Sequence, residues 1–389
     1  MRLGIDLTSH ANRRGYGRYT RELVGALLPL ASDHDCYCVV EEQNAAQLEA
    51  FAEYANIVAV PQTQAPVDAA GDSSRRGIRD VLAMRRAVSR LKPDLMFFPT
   101  VYTWFPIPCR VPSVVCIHDA IAERFPELTL PKWRSRFFWN RKVRAAIRAS
   151  KLVMTVSDFS ARDLHKYLGI RRESIRVTNE APSAMYRPVD QKEIAASMAR
   201  VGLQDVDRWF IYVGGFNPHK RVDSIIRAHA RHAAGDSEAP HLLLVGAADD
   251  SFHGCFSELR ALAENSGAAD KVHWTGYVTD DDLCPLISGA LASLLVSSCE
   301  GFGLPAVEAA ACGTPAIATT ESPLPQVLDG GGIFIEPDGD DGLLMAMQEL
   351  SNNHEMRAEM ATVALRRAQD LSWERAAQCA LEALEEVVA

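Results

Sequence analysis

The most constraining feature of this chain is a repeated alternation of short apolar runs with longer amphipathic stretches. "RLGIDL", "CYCVVEE", "NIVAVP", "DLMFFP", "SVVCIHD", "LVMTVS" and "SIRVTN" are brief and several are rich in β-branched residues, which predicts strands. Between them, "YGRYTRELVGALLPLA", "IRDVLAMRRAVSRL" and "SRFFWNRKVRAAIRAS" repeat their apolar residues at helical spacing. After Tyr186 the texture turns polar in "RPVDQKEIAASMARVGLQDVDRW", expected to carry the crossover to a second domain. The alternation then restarts at "FIYVGG" and continues through "HLLLVGA", "KVHWTGY", "LASLLVSS" and "PAIATT". Strands and helices in this order make parallel sheets covered by helices on both faces. The expected fold is therefore α/β, with two doubly wound Rossmann-like domains at residues 1–190 and 191–372. "LSWERAAQCALEALEEVV" predicts a final helix over 373–389. Ligands of such sheets sit beyond the carboxyl ends of the strands, so two domains facing across a cleft would share one site.

Length and charge narrow the function. At 389 residues, two domains are the natural division. A net charge of −9 argues against a whole-surface nucleic-acid binder. No apolar run approaches the roughly 20 residues a membrane span needs. "MRLGIDLTSH" alternates and contains Asp6, unlike a secretion signal, so a cytoplasmic location is expected. The nine cysteines are scattered, with no CxxC and no zinc spacing. They are expected to be small buried residues of a reduced protein, with no metal centre.

Four stretches carry candidate chemistry. In "SSCEGFGLPAVEAAACGTP", Glu300 lies on the loop after a buried strand and Glu308 about one turn into the next helix, which Gly313 ends. Gly301 and Gly303 let a ligand approach the backbone, and the helix start offers N–H groups to a phosphate. In "YVGGFNPHKR", Gly214 and Gly215 follow a strand and admit a diphosphate, while Lys220 supplies a cation for the leaving phosphate. In "VVCIHDAI", His118 ends a buried strand and Asp119 follows it, placed to orient the loop. In "RRGYGRYTREL", Gly15 and Gly17 imitate a dinucleotide fingerprint, but the third glycine is absent and no acidic residue follows at the right distance. A nicotinamide site is not supported.

"EGFGLPAVE" resembles the E-x7-E motif of retaining glycosyltransferases with the GT-B fold, in particular family GT4. The resemblance is strongest from Tyr212 to Pro337 and looser before Tyr186. It implies that Glu300 lies near the donor sugar's hydroxyls and that Glu308 holds the nucleotide ribose. Backbone amides near Phe302, Gly303 and Leu304 would meet the sugar and diphosphate. Lys220 would neutralise the diphosphate. The family often has an arginine just before that lysine or just after the glycine; here those positions are His219 and Gly215, and Arg221 is the substitute. His118 would hydrogen-bond and position the donor sugar. Gly17, with Arg18, would lie near the transferred phosphate or the acceptor. Tyr277 and Val278 would seat the base through their backbone, and Ser322 and Leu324 would approach the nucleotide. The first domain would bind the acceptor, and the final helix would pack back toward it.

The implied reaction moves a hexosyl unit from a nucleotide-diphosphate sugar to a hydroxyl of a glycan or lipid-linked glycan, with retention and without a metal or other cofactor. The overall texture is similar to bacterial mannosyltransferases of surface-polysaccharide assembly, so GDP-mannose is the expected donor, with UDP-glucose or another UDP-sugar as the alternative. A GT-B-fold nucleotide-sugar epimerase and a silent sugar-nucleotide binding protein are the competing classes. Residues 132–151 hold eight basic residues and no acid, with Trp133, Phe137, Phe138 and Trp139 among them. That segment suits peripheral contact with the inner face of a membrane. It also suits a solvated helix with a buried aromatic stripe, and the sequence favours the latter because aromatics fit core packing.

Overall fold

The computed structural model describes residues 1–12, 14–62, 77–247 and 255–389. They form two compact units, Met1–Glu180 with Ser372–Ala389, and Ala181–Leu371.

In the first unit the strands are β1 (Arg2–Asp6), β2 (Asp35–Glu41), β3 (Asn56–Val60), β4 (Leu95–Phe98), β5 (Ser113–Cys116), β6 (Leu152–Thr155) and β7 (Ile175–Val177). Every pairing is parallel, in the order β3-β2-β1-β4-β5-β6-β7. β4, β5 and β6 are buried at every residue, as strands with helices on both faces must be. Edge strand β3 is only partly buried. Strand order reverses between β1 and β4, which puts the loops beyond β1 and β4 at a topological switch point.

The helix Trp373–Val388 belongs to this unit and packs on the helix Gly15–Leu30. Its residues Ala376, Ala377, Ala380, Leu381, Ala383 and Leu384 are buried on one face. Ser372 caps it by accepting from the Arg375 N–H at 3.2 Å. Glu385 and Glu386 reach His34 and Arg176, at 2.9 and 2.5 Å, and the Trp373 ring lies edge-on to Tyr19.

The second unit repeats the plan with β8 (Trp209–Val213), β9 (His241–Val245), β10 (Val272–Gly276), β11 (Ser293–Leu295), β12 (Ala316–Thr319) and β13 (Gly332–Ile335), ordered β10-β9-β8-β11-β12-β13 and all parallel. Its switch point falls between β8 and β11. The core gathers Phe210, Tyr212, Leu242, Leu244, Leu294 and Ile317 from the strands with Ile225, Ile226 and Met347 from the helices.

Three elements differ from expectation. The polar crossover contains a helix, Gln191–Arg200, started by Asp190, whose carboxylate accepts from the Lys192 and Glu193 N–H groups at 2.9 Å each, and anchored by buried Ile194, Ser197 and Met198. Strand β13 was not anticipated: it is a partly buried edge strand. The third is the basic helix Trp133–Ala149. Trp133, Phe137 and Phe138 are 70%, 51% and 47% exposed, so they form no buried stripe. Val143 and Ala146 fill the buried side, because the small and β-branched residues face the sheet and leave the rings outward. All nine cysteines are free, and six of them are buried. Among the described residues, no helix is long and apolar enough to cross a membrane.

Candidate active site

In the second unit, the loops beyond β8 and β11 leave neighbouring strands and stay together. The Ser298 N–H donates to the His219 carbonyl at 2.8 Å, and the Glu300 N–H donates to the Glu321 carbonyl beyond β12 at 3.0 Å. This holds Lys220 and Glu300 against each other. The Lys220 ammonium lies 2.7 Å from Glu300 Oε1, and the Ser297 hydroxyl donates to the same oxygen at 2.5 Å. Glu300 is 7% exposed, so its charge is largely out of water and depends on these charge-assisted bonds. His219, also buried, is held down to about pKa 3, by burial first and by the neighbouring Lys220 charge second.

The following helix, Leu304–Ala311, begins at Gly303, whose φ of +95° is a left-handed conformation. A Cβ there would lie 2.7 Å from Leu324 Cδ1, so glycine is required twice over. The Phe302 and Leu304 side chains are buried, which leaves their backbone as the part a ligand can meet. Glu308 sits in the helix and is 4% exposed. The Cys312 N–H closes the helix onto its carbonyl at 3.2 Å.

The other expected donor contacts lie at strand ends of the same unit. The Gly214 N–H donates to the Val245 carbonyl at 3.0 Å, and the Tyr212 hydroxyl donates to the Gly215 carbonyl. Tyr277 is half-exposed and Val278 buried, just beyond β10. Gly246 donates to the Gly276 carbonyl at 3.0 Å; the residues after it in "LLLVGAADD", 248–250, lie outside the described residues. The Ser322 hydroxyl donates to the Thr319 carbonyl at 2.7 Å. Arg221 goes elsewhere: its guanidinium pairs with Asp338 at 2.9 Å and Asp340 at 3.5 Å, and bonds the Ser224 hydroxyl at 3.0 Å.

In the first unit, His118 follows β5. Its Nε2 donates to the Pro99 carbonyl beyond β4 at 3.0 Å, and its ring stands edge-on to Tyr19. Burial pushes the imidazole down to about pKa 4, so the ring is neutral at pH 7 and Nδ1 is an acceptor. Glu180 Oε1 lies 3.8 Å from that Nδ1, too far for a hydrogen bond. Glu180, 6% exposed, is a site residue that sequence reasoning missed. The available signal was a carboxylate just past the end of a strand. Asp119 Oδ1 accepts from the Ile121 N–H at 2.9 Å and starts the short helix that follows.

Gly17 is buried at the start of the helix Gly15–Leu30, where a Cβ would lie 2.0 Å from the Asn12 carbonyl oxygen. Arg18 is partly buried in the same turn, and Arg13 of that stretch lies outside the described residues. Asp6, at the end of β1, is another buried carboxylate; it accepts from the Thr103 and Thr8 hydroxyls at 2.6 and 2.7 Å and ties the β1 and β4 loops together. Among the described residues, no group of three or more His, Cys, Asp or Glu side chains is arranged to hold a metal ion.

Comparison with known proteins gives a consistent picture. Over 376 residues the chain is 25% identical to the O-antigen chain mannosyltransferase B of Escherichia coli, covering 92% of this chain and 93% of that protein. Among solved structures it superposes on a sucrose-phosphate synthase from Thermosynechococcus elongatus with a TM-score of 0.77 at 17% identity, covering 99% and 98% of the two chains. It superposes on HepE of Anabaena, solved with UDP and glucose, with a TM-score of 0.74 at 18% identity, covering 99% and 100%. The family model for Glycosyl transferases group 1 matches residues 193–367, and that for Glycosyltransferase Family 4 matches residues 13–179. Spanned over most of its length by these two models, and built on the paired Rossmann-like units of the GT-B fold, the chain belongs to the family 4 glycosyltransferases.

Proposed function

We propose that the protein transfers a hexosyl unit with retention of configuration, mannose from GDP-mannose being the preferred assignment, to a hydroxyl of a glycan or lipid-linked glycan at the cytoplasmic face of a membrane. The observation that carries the reading is the partly buried Lys220–Glu300 pair at the ends of adjacent strands, with Glu308 in the helix that follows. The mannosyltransferase name of the Escherichia coli relative supports the choice of sugar.

Lys220 already balances a carboxylate, and a diphosphate would draw the same ammonium toward the charge that grows on the leaving group. Both bonds to Glu300 fall on Oε1, so Oε2 is assigned the sugar hydroxyls. Glu308 is assigned the ribose hydroxyls. The Gly303 turn and the amides after it are assigned the diphosphate, with Gly214 and Gly215 allowing close approach. Tyr277 and Val278 are assigned the base. His118, with Nδ1 as acceptor, is assigned a sugar hydroxyl, and Gly17 a place near the transferred group.

In the reaction the bond from the anomeric carbon to the phosphate oxygen breaks through an oxocarbenium-like state. The acceptor oxygen bonds the same carbon on the same face, and its proton passes to the departing phosphate. Charge on that phosphate is met by Lys220 and backbone N–H groups, so the proposal includes no metal ion.

A second reading, a UDP-sugar donor, is favoured by one observation: HepE, which shares the fold, was solved with UDP and glucose. A thermal-shift panel of GDP-, UDP-, ADP- and TDP-sugars decides between them. The true donor at 100 times its dissociation constant stabilises by about 2.7 kcal/mol. Radiolabelled donor then reports whether the sugar moves to an acceptor or merely isomerises. Silence across the whole panel would remove the transferase reading.

A further inference from the structure

The second unit holds a thiol pair that the chemistry above leaves unused. Cys284 lies in the helix Asp280–Ser288, and Cys312 closes the helix Leu304–Ala311. Their sulfurs are 3.9 Å apart, and the side chains are 5% and 2% exposed. The Cys284 S–H donates to the Arg187 carbonyl at 3.4 Å, which leaves its sulfur lone pairs to accept from Cys312. That bond holds the Cys284 thiol below its ordinary range, and the same bond, with burial, holds Cys312 above it. Cys284 is therefore the thiol that ionises first and attacks.

Ordinary hydrogen bonds keep the pair together although the two residues are 28 positions apart. The Ser288 hydroxyl donates to the Cys312 carbonyl at 3.3 Å, and the Thr314 hydroxyl donates to the Ile287 carbonyl at 2.7 Å. Both helices lead to assigned donor contacts. The first begins two residues after Val278. The second carries Glu308, whose carbonyl accepts the Cys312 N–H at 3.2 Å. Sulfurs in a disulfide are about 2.05 Å apart, so joining this pair draws them in by roughly 1.9 Å. Side-chain rotation takes part of that closure. The helices take the rest, one carrying the base loop and the other the ribose carboxylate.

We infer that Cys284 and Cys312 form a reversible disulfide under peroxide, and that this bond weakens donor binding by drawing on the two elements assigned to base and ribose. The Cys284 thiolate attacks one oxygen of hydrogen peroxide. The O–O bond breaks, Cys284 becomes a sulfenic acid, and the other oxygen takes up the thiol's proton and leaves as water. The Cys312 sulfur then attacks that of Cys284. The S–S bond forms, the S–O bond breaks, and the departing hydroxide takes the Cys312 proton as a second water. Two thiols lose two electrons and one peroxide gains them. The bond depends on the sulfurs alone; its effect on the donor rests on the assignments proposed above.

Peptide mapping of the full-length protein tests the inference. Reduced protein is treated with hydrogen peroxide, digested without reductant and analysed by mass. The expected product is a pair of peptides joined at Cys284 and Cys312, lighter by two hydrogens and separated again by dithiothreitol. The nucleotide-sugar panel above is repeated before and after oxidation. Oxidation should weaken donor binding about tenfold, the worth of one hydrogen bond to a charged group, and dithiothreitol should restore it. Cys284→Ala and Cys312→Ala should each keep the reduced parent's donor affinity and lose the response to peroxide. The mapping uses the parent alone, so a variant that folds poorly leaves it intact. Peroxide that oxidises exposed Cys109 yet leaves the pair unjoined would overturn the inference. So would a joined pair with unchanged donor affinity, or a response that survives either substitution. Silence of the reduced protein across the panel would remove the donor reading and the regulatory effect with it, while the mapped link still decides the bond.

Discussion

In the second unit, the loops at the switch point hold opposite charges in contact, Lys220 and Glu300 at 2.7 Å. In the first, the loops beyond β4 and β5 hold an imidazole that burial keeps uncharged, fixed by the Pro99 carbonyl and the Tyr19 ring. The first six strands of one sheet follow the order of the other six, so the difference lies in the loops that those strands carry. Removing one member of a buried ion pair strands the other in a poor dielectric, at a cost of about 3–5 kcal/mol. A neutral histidine exchanges one hydrogen bond for another at about 1 kcal/mol. The second unit should therefore be the sensitive one.

The largest effect is expected at Lys220. Lys220→Ala should lower kcat at saturating donor by about 10²–10³, the usual loss when a donor to developing charge is removed. A loss below tenfold would end the contrast between an ion-paired lysine and a neutral histidine. Next comes Glu308→Ala, which should raise the donor KM by about 10–100-fold, the worth of a charged hydrogen bond, while kcat falls less. Equal loss in kcat would assign Glu308 to the transition state and not to ground-state binding.

The neutral half of the comparison is tested by pH. His118 and His229 are pushed down to about pKa 4 by burial, and His219 to about 3, from an ordinary 6.5. Their folded-state values are depressed, so the unfolded chain takes up protons first as pH falls. The stability they contribute is complete above pH 6.5 and drains away as pH drops toward 4. Melting temperatures between pH 7.5 and 4.5 should show that decline, and His229→Gln should flatten it. An activity limb near pH 6.5 that disappears in His118→Ala would show that this imidazole is not held neutral. The smallest effect is expected at Arg221. Its guanidinium is engaged by Asp338 and Asp340, so Arg221→Ala should change the donor KM less than about threefold. A loss comparable with that of Lys220→Ala would make it the second phosphate cation after all.

The sequence made some of this legible and hid the rest for definite reasons. The places of Glu300, Glu308 and Lys220 in the fold were readable because each lies within one strand–loop–helix unit, where spacing fixes position. Glu180 was not, because its place beside His118 follows from the pairing of β5 with β6 and β6 with β7, a tertiary fact. Arg221 looked available because its partners, Asp338 and Asp340, come from beyond β13, and that strand was itself too weakly buried to stand out. The rings of the basic helix show the limit of periodicity. It locates a stripe but not what covers it, and here Val143 and Ala146 took the inner side.

The first unit is assembled from two separated stretches of chain, Met1–Glu180 and Ser372–Ala389. During synthesis the whole of Ala181–Leu371 leaves the ribosome before the segment that covers the helix Gly15–Leu30 exists. Tyr19 of that helix, whose ring meets Trp373 in the finished protein, must wait without that cover while the inserted unit is made. The inserted unit is continuous and free to fold as it emerges; the unit around it is completed last and carries the greater exposure to nascent-chain aggregation.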